Sequence, residues 1–233
     1  MNRPIVHFKD LGLIDFKQAW DYQSSVFNPI VDQKIKNRKY PENFIPTTNH
    51  LLFCEHPHVY TLGKSGSDSN LLISESILTA RGASFYRINR GGDITYHGPG
   101  QLIAYPIIDL ENFFTDIHKY LRFLEESVIL TLKEFGITAT RVKGLTGVWI
   151  DEKNTAARKI CALGVKSSRW VTMHGIGFNI NSDLSYFHDI VPCGIKDKKV
   201  TSMEKELGHK VDLQSVKDKL KINLSNVFDF DYA

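Results

Sequence analysis

Apolar residues occur along most of the chain in short runs separated by polar and glycine-rich breaks, a pattern typical of β-strands joined by turns. The pattern predicts a first strand within residues 1–8 and further strands at 51–54, 58–62, 85–88, 93–97, 101–110, 137–142, 147–150, 159–165 and 176–180. The break Glu55-His56-Pro57 is short enough to predict a β-hairpin between the runs on either side of it.

Apolar residues that recur at three- and four-residue steps predict three helices. The first is expected to break or kink at Pro29, the second begins at Asp116 and ends at Gly136, and the third follows Asp212. Residues 201–204, Thr-Ser-Met-Glu, have the spacing of a capping box. The apolar faces carry Phe16, Ala19, Trp20 and Phe27; Ile117, Tyr120, Leu121, Leu124, Val128 and Phe135; and Leu213, Val216, Leu220 and Leu224.

Strand-rich segments with helices between them predict an α/β or α+β fold around a mixed sheet. No internal repeat and no linker rich in glycine, serine or proline divides the chain, so residues 1–233 are expected to form a single domain. The composition, 42% hydrophobic and 24% charged, is ordinary for a folded protein.

Charge and hydropathy exclude several classes of partner. A net charge of +3 is too small to indicate nucleic-acid binding. No apolar run approaches the roughly 20 residues of a membrane span, and the start of the chain lacks the apolar segment of a signal peptide. We therefore expect a cytoplasmic protein with no nucleic-acid partner and no membrane partner.

The three cysteines are odd in number and form no Cys-x-x-Cys pair, which argues against a disulfide framework and a zinc knuckle. Cys54 and Cys161 lie within apolar strands, as inert core cysteines do. Cys193 lies between Pro192 and Gly194, in an irregular loop with three lysines just downstream. Such surroundings lower the pKa of a thiol and make Cys193 a candidate nucleophile, with an inert thiol as the alternative.

Residues 90–101 combine four glycines with arginine, threonine and histidine around a short strand. Glycine lets the backbone approach a ligand closely and turn its N–H groups inward, which predicts a binding segment. The same glycines would equally serve two tight turns joining three strands. The residues alone leave both interpretations open.

Three other motifs do not support a function. The sequence Gly63-Lys64-Ser65 ends like a phosphate-binding P-loop but lacks the required glycine at position 58, and no Gly-x-Ser-x-Gly elbow occurs. Cys54, His56 and His58 alternate like metal ligands, but Pro57 interrupts the strand and no fourth ligand is near in sequence. A structural or surface role is favoured for these three side chains.

The motifs together resemble those of the lipoyl(octanoyl) transferases, which move an octanoyl group from acyl carrier protein to lipoate-dependent enzymes. Their order and spacing agree from about residue 51 to residue 204. The resemblance rests on Arg90-Gly91-Gly92, His97-Gly98-Pro99-Gly100-Gln101, Tyr105-Pro106, Asp109-Leu110, Gly147-Val148-Trp149, Arg158-Lys159-Ile160, Gly164-Val165, His174-Gly175, Asn179, Asp183-Leu184, Phe187, Pro192-Cys193-Gly194 and Val200-Thr201-Ser202.

The resemblance implies the fold of biotin and lipoate protein ligase catalytic domains, a mixed β-sheet flanked by helices. It implies Cys193 as the nucleophile, acylated as a thioester, and Lys159 as its catalytic partner, with no cofactor and no metal. The implied donor is octanoyl-acyl carrier protein, and the acceptors are lipoyl domains of 2-oxo acid dehydrogenases and the glycine cleavage H protein. Implied substrate contacts are Arg90, Gly91, Gly92, Asp93, Ile94, Thr95, Tyr96, His97, Ala162, Leu163, Gly164, Gly175, Ile176 and Gly177.

Three alternatives stay open beside this reading. An ATP-dependent lipoate or biotin protein ligase of the same fold would not need a nucleophilic thiol. A cysteine-based amidotransferase would move octanoyl groups between protein lysines. An acyl-binding module without catalysis would not need both Lys159 and Cys193.

Overall fold

The computed structural model describes residues 3–152, 157–191 and 199–233, which form twelve strands and five α-helices joined by short 3-10 turns. The strands are β1 (Ile5–Leu13), β2 (Asn49–Glu55), β3 (Val59–Leu62), β4 (Ser84–Arg87), β5 (Ile94–His97), β6 (Gln101–Ile107), β7 (Thr140–Val142), β8 (Leu145–Ile150), β9 (Arg158–Ser168), β10 (Val171–Asn179), β11 (Lys199–Val200) and β12 (Asp231–Tyr232). The helices are α1 (Phe16–Lys39), α2 (Glu75–Ala80), α3 (Ile117–Glu134), α4 (Met203–Leu207) and α5 (Leu213–Phe228).

Nine of these strands form a large mixed sheet in the order β12-β1-β2-β6-β10-β9-β8-β7, with β11 paired to β9. The pairs β1–β2, β1–β12 and β9–β11 are parallel, and the remaining pairs are antiparallel. Helix α1 covers one face of the sheet, and α3 and α5 cover the other. The predicted fold class, a mixed β-sheet flanked by helices, is confirmed.

Helix α1 continues through Pro29, so of the break or kink predicted there, the break does not occur. Proline removes one N–H and leaves the carbonyl four residues earlier, that of Ser25, without its helical donor. Pro29 and Ser25 are both exposed, and water can bind that carbonyl. Phe27 and Ile30 are buried against the sheet and anchor the helix on both sides of Pro29.

The helix-start signals differ in how well they predict the structure. Asp116 caps α3 by accepting hydrogen bonds from two backbone N–H groups, and Asp212 caps α5 in the same way, as predicted. In α4 the cap is Ser202, which accepts from the N–H of Lys205. The predicted capping box at residues 201–204 is therefore wrong: the residue three places after the Ser202 cap is Lys205, which cannot accept a hydrogen bond, and the Thr201 hydroxyl donates to Glu206.

A second sheet of three strands has the order β4-β3-β5. The predicted hairpin between residues 51–54 and 58–62 is wrong, since β2 pairs within the large sheet and β3 within the small one. His56 fixes the crossing between the sheets. Its Nδ1 donates to the Ile14 carbonyl at 2.8 Å, and its Nε2 accepts from the Tyr105 hydroxyl at 2.8 Å. No helix in the described part of the chain is long and apolar enough to cross a membrane.

Candidate active site

A cavity of about 350 Å³ lies between the small sheet and strands β8 to β10 of the large one. Most of the predicted site residues line it: Arg90, Gly91, Gly92, Asp93, Ile94, Thr95, His97, Lys159, Ala162, Leu163, Gly164, Gly175, Ile176 and Gly177. Tyr96 does not line the cavity, and Cys193 lies outside the described residues. The fold thus brings together segments that are up to about 90 positions apart in sequence.

The glycine-rich connection before β5 forms one wall, and two neighbouring segments hold it. The N–H of Gly91 donates to the carbonyl of Val165 on β9 at 2.9 Å. On the other side, a Cβ at Gly63 would lie 2.3 Å from the Gly92 carbonyl oxygen. Position 63 therefore has to be glycine for the two segments to pass this close. The glycine of the P-loop-like sequence 63–65 thus has a packing role.

Arg90 is buried in this wall, with 7% of its surface exposed. Its Nη2 donates to the main-chain and side-chain oxygens of Thr61 at 2.7 and 3.0 Å, and its Nη1 donates to the Gly91 carbonyl at 3.0 Å. Its aliphatic part lies against Gly164, where a Cβ would come within 2.8 Å of Arg90 Cδ. The guanidinium therefore fastens the connection to β3, and the aliphatic part of Arg90 packs it against β9.

Glycines in β9 and β10 form the floor of the cavity, with Gly164 directly opposite Gly175 in the antiparallel register. A Cβ at Gly175 would lie 2.3 Å from the Ala104 carbonyl oxygen of β6. Side chains of ordinary size do not fit there. Contact between neighbouring strands thus requires glycine at position 175, whatever the cavity holds.

The side chain of Lys159 lines the cavity on the side formed by β8. Its Nζ lies 4.8 Å from the centroid of the Trp149 ring, and its stem passes over Gly147, where a Cβ would lie 3.3 Å from Lys159 Cε. Its backbone pairs with Val200, so β11 runs alongside it. Lys166, seven residues along β9, instead places its Nζ 4.8 Å from the ring of Phe27 on α1.

Two buried imidazoles complete the cavity wall, His97 and His174. Burial, reinforced by nearby positive charge, lowers the pKa of each to about 3, so both are neutral at pH 7. His97 Nδ1 donates to Gln101 Oε1 at 2.6 Å, because the Gln101 amide nitrogen donates to Asn179. His174 has φ +63°, and its Nε2 finds no hydrogen-bond partner among the described residues.

Tyr96 lies on the face of β5 opposite to its neighbours Thr95 and His97, because side chains alternate along a strand. Its hydroxyl is 2.7 Å from His58 Nδ1, and its ring stacks on Tyr186 at 4.8 Å. Tyr96 thus belongs to the core of the small sheet.

Cys54, His56 and His58, which alternate in sequence like metal ligands, are engaged in packing and hydrogen bonds. Cys54 Sγ is 3.7 Å from His56 Nε2, and His58 stacks on Tyr186 at 4.1 Å. Burial raises the pKa of the Cys54 and Cys161 thiols, which keeps both protonated. Within the described ranges, no group of three His, Cys, Asp or Glu side chains could hold a metal ion.

Several residues of the cavity were not predicted from the sequence. They come from α1, β6, α3, the β7–β8 turn, β8, β10 and the turn after residue 183. These residues are Phe16, Tyr105, Leu121, Gly144, Leu145, Thr146, Trp149, His174 and Phe187. Tyr105, Trp149, His174 and Phe187 are themselves part of the family motifs, which is the signal that could have indicated them.

Comparison with known proteins identifies the family. The model of the lipoyl protein ligase A/B catalytic domain matches residues 15–225. An octanoyltransferase of Christiangramia forsetii is 60% identical over 96% of this chain and 95% of its own length, and one of Flavobacterium johnsoniae is 60% identical over 98% of both. An octanoyltransferase of Bacteroides fragilis is 48% identical over 91% of this chain and 92% of its own length.

Solved structures show the same fold at lower identity. A bipartite lipoate protein ligase of Thermoplasma acidophilum has a TM-score of 0.68 at 16% identity, over 100% of this chain and 86% of that one. Lipoate-protein ligase A bound with ATP also has a TM-score of 0.68 at 16% identity, over 100% and 88%. Because the family model and the relatives cover nearly the whole chain, this protein belongs to the octanoyltransferases of the lipoyl protein ligase A/B catalytic-domain family.

Proposed function

We propose that this acyltransferase takes an octanoyl group from octanoyl-acyl carrier protein, holds it as a thioester on Cys193, and transfers it to a lysine of a lipoyl domain. The acceptors are lipoyl domains of 2-oxo acid dehydrogenases and the glycine cleavage H protein, in the cytoplasm. The Thermoplasma acidophilum structure of the same fold is that of a lipoate protein ligase from a lipoylation system that includes an E2 lipoyl domain. This likeness supports lipoyl domains as the class of acceptor.

The observation that carries the proposal is the position of Lys159 at a cavity beside the strand that follows Cys193. Lys199 pairs with Arg158, and Val200 pairs with Lys159. Lys199 and Val200 line the cavity together with Lys159. On the preceding side, the N–H of Val191 donates to the Asn70 carbonyl at 2.8 Å. Asn70 Nδ2 in turn donates to Asp93, another cavity residue, at 2.7 Å. The described neighbours of Cys193 are thus fastened at the cavity on both sides.

The first half-reaction exchanges one thioester for another. A thiolate attacks and a thiol does not, and a free cysteine is only a few per cent thiolate at pH 7. The ammonium group of Lys159 favours the thiolate of Cys193 by opposite charge. The new C–S bond forms at the octanoyl carbonyl as the bond to the carrier sulfur breaks. The departing thiolate takes a proton from the Lys159 ammonium group, which leaves that amine neutral.

The second half-reaction forms an amide. The ε-amine of the acceptor lysine attacks the octanoyl thioester on Cys193, and the C–S bond breaks to release the thiolate. Lys159, neutral at this stage, accepts the proton that the attacking amine loses. The thioester supplies the activation, so the step requires no ATP.

The cavity provides a binding place for the acyl tail. The side chains of Ile94, Leu163, Val165 and Ile176 offer it apolar surface, and the neutral state of His97 and His174 keeps two positive charges away from it. Six methylenes at about 0.8 kcal/mol each contribute about 5 kcal/mol when fully buried. Cavity depth is then the physical basis for chain-length preference.

The test compares two reactions on one apo lipoyl domain, read as a mass increase. One contains octanoyl-acyl carrier protein without ATP, and the other contains free octanoate with ATP and magnesium. The proposal predicts product only in the first. Product only in the second would contradict it and would support an ATP-dependent ligase, the activity that the fold relatives carry in their names.

A further inference from the structure

Asn179 is a buried polar residue, 4% exposed, at the end of β10. Its Oδ1 accepts from Gln101 Nε2 at 2.7 Å, and its Nδ2 donates to the Thr201 carbonyl at 3.0 Å. A carbonyl can only accept, so the orientation of the Asn179 amide is fixed by its partners. Both ends of this side chain are therefore engaged.

Thr201 is the residue on which these contacts converge. It follows β11 directly and is fully buried. Its N–H donates to the Lys159 carbonyl at 2.9 Å, and its hydroxyl donates to Glu206 at 2.5 Å. Asn179 supplies a third attachment, from β10, to a residue that is otherwise bonded to β9 and α4.

The other end of the amide leads to the cavity wall. Gln101 lies directly opposite Asn179 in the β6–β10 register, and its Oε1 accepts from His97 Nδ1 at 2.6 Å. Gln101 Nε2 also donates to the Tyr96 carbonyl at 3.2 Å. Asn179 thus links the paired strands β6 and β10 to Thr201 through hydrogen bonds at both ends of its amide.

We propose that Asn179 is a positioning residue for acyl transfer, whose carboxamide fixes the strand after Cys193 against the strand that carries Lys159. The inference rests on the proposed function, since it concerns the pairing of Cys193 with Lys159. Catalysis is sensitive to displacements of about 1 Å, which can cost about 100-fold in rate. Loss of the Asn179 attachment should lower the rate through such a displacement, without any contact between Asn179 and the substrate.

The test uses Asn179→Leu, which keeps the shape of the side chain and removes both hydrogen bonds. Asn181→Leu is the matched control. Asn181 lies two residues further along the chain, and its amide makes the same kind of two-bond contact with the backbone of Val211, at 2.8 and 3.0 Å, away from β11. Both substitutions are expected to lower stability in urea unfolding.

Two further measurements separate positioning from stability. For Asn179→Leu we expect kcat to fall about 10-fold or more with little change in KM, and iodoacetamide to label Cys193 only at higher pH. For Asn181→Leu we expect kcat and the labelling profile of the wild type. The site of labelling is read by mass spectrometry of the modified peptide.

The variant Lys159→Ala distinguishes a failure of the inference about Asn179 from a failure of the proposed function. If Lys159→Ala shifts the labelling profile and Asn179→Leu does not, the inference about Asn179 is wrong and the proposed function stands. If Lys159→Ala itself changes nothing, the coupling of Lys159 to Cys193 fails, and the inference fails with it. Should Asn179→Leu not fold, Asn179→Ser and Asn181→Ser replace the pair, because serine removes the same bonds without adding an apolar surface.

Discussion

Lowering the pH from 7.5 to 5.5 should destabilise the fold through the imidazoles that face the cavity. Burial lowers the pKa of His97 and of His174 from about 6.5 to about 3. At pH 5.5 both rings stay neutral in the folded protein, whereas the unfolded chain binds a proton at each. The folded state therefore loses relative stability as the pH falls below about 6.5, and continues to lose it until about pH 3.

The magnitude follows from proton linkage. A group with an unfolded pKa of about 6.5 and a folded pKa of about 3 costs about 1.4 kcal/mol at pH 5.5 and almost nothing at pH 7.5. His97 and His174 together should therefore cost about 3 kcal/mol, a large fraction of the stability of an ordinary domain. His97→Asn isolates one of the two, because the asparagine amide can still donate to Gln101.

The assay is urea unfolding of the wild type and His97→Asn at both pH values. The fall in free energy of unfolding between pH 7.5 and 5.5 should be smaller by about 1.4 kcal/mol in His97→Asn than in the wild type. His209→Asn is the control, since the exposed His209 ring meets water in both states. If His97→Asn keeps the full pH dependence of the wild type, His97 is not held as a buried neutral imidazole.

Three further predictions concern single side chains. Lys159→Ala should slow octanoyl transfer about 100-fold and raise the pH at which Cys193 is alkylated, whereas Lys166→Ala should do neither; identical profiles for both variants would refute the coupling. Gly175→Ala should lower the melting temperature strongly, because its methyl group would lie 2.3 Å from a main-chain oxygen of β6, and a soluble variant with the wild-type melting temperature would contradict this. Lys34→Met should cost about 3–5 kcal/mol in urea unfolding by leaving the Asp109 carboxylate buried without its cation, and a loss below about 1 kcal/mol would show that the pair is not desolvated.

Local patterns predicted the elements best. The strands at residues 51–54, 85–88 and 93–97 and the caps at Asp116 and Asp212 depend on neighbouring residues alone, and the structure contains all of them. Strands β11 and β12 have two residues each, too few to show a period. They exist because β9 and β1 offer them partners, which no local pattern reveals.

The wrong hairpin shows where local reasoning ends. The turn chemistry of residues 55–57 fits a hairpin, but the pairing is decided by contacts with residues far away in sequence. His56 binds the backbone before α1 and the hydroxyl of Tyr105 on β6, and these two bonds carry the chain from one sheet into the other. Neither partner can be inferred from the spacing of apolar residues.

Residues of the candidate site that belong to family motifs could be predicted from the sequence. Residues that reach the site only through tertiary packing could not. Arg90 and Lys159 were expected from the family motifs and line the cavity. Asn179 was part of a motif, but its role depends on the amide geometry between β6 and β11, which only the fold shows. Phe16 reaches the same cavity from α1 and belongs to no motif at all.

The central claim is that acyl transfer runs through Cys193, and intact mass tests it most directly. After incubation with octanoyl-acyl carrier protein and no acceptor, the wild type should gain one octanoyl group that hydroxylamine removes. Cys54→Ala and Cys161→Ala should gain it as well, because both thiols are buried and their pKa is raised. Cys193→Ala should gain none and should not turn over, whereas an adduct that persists in Cys193→Ala would contradict the account.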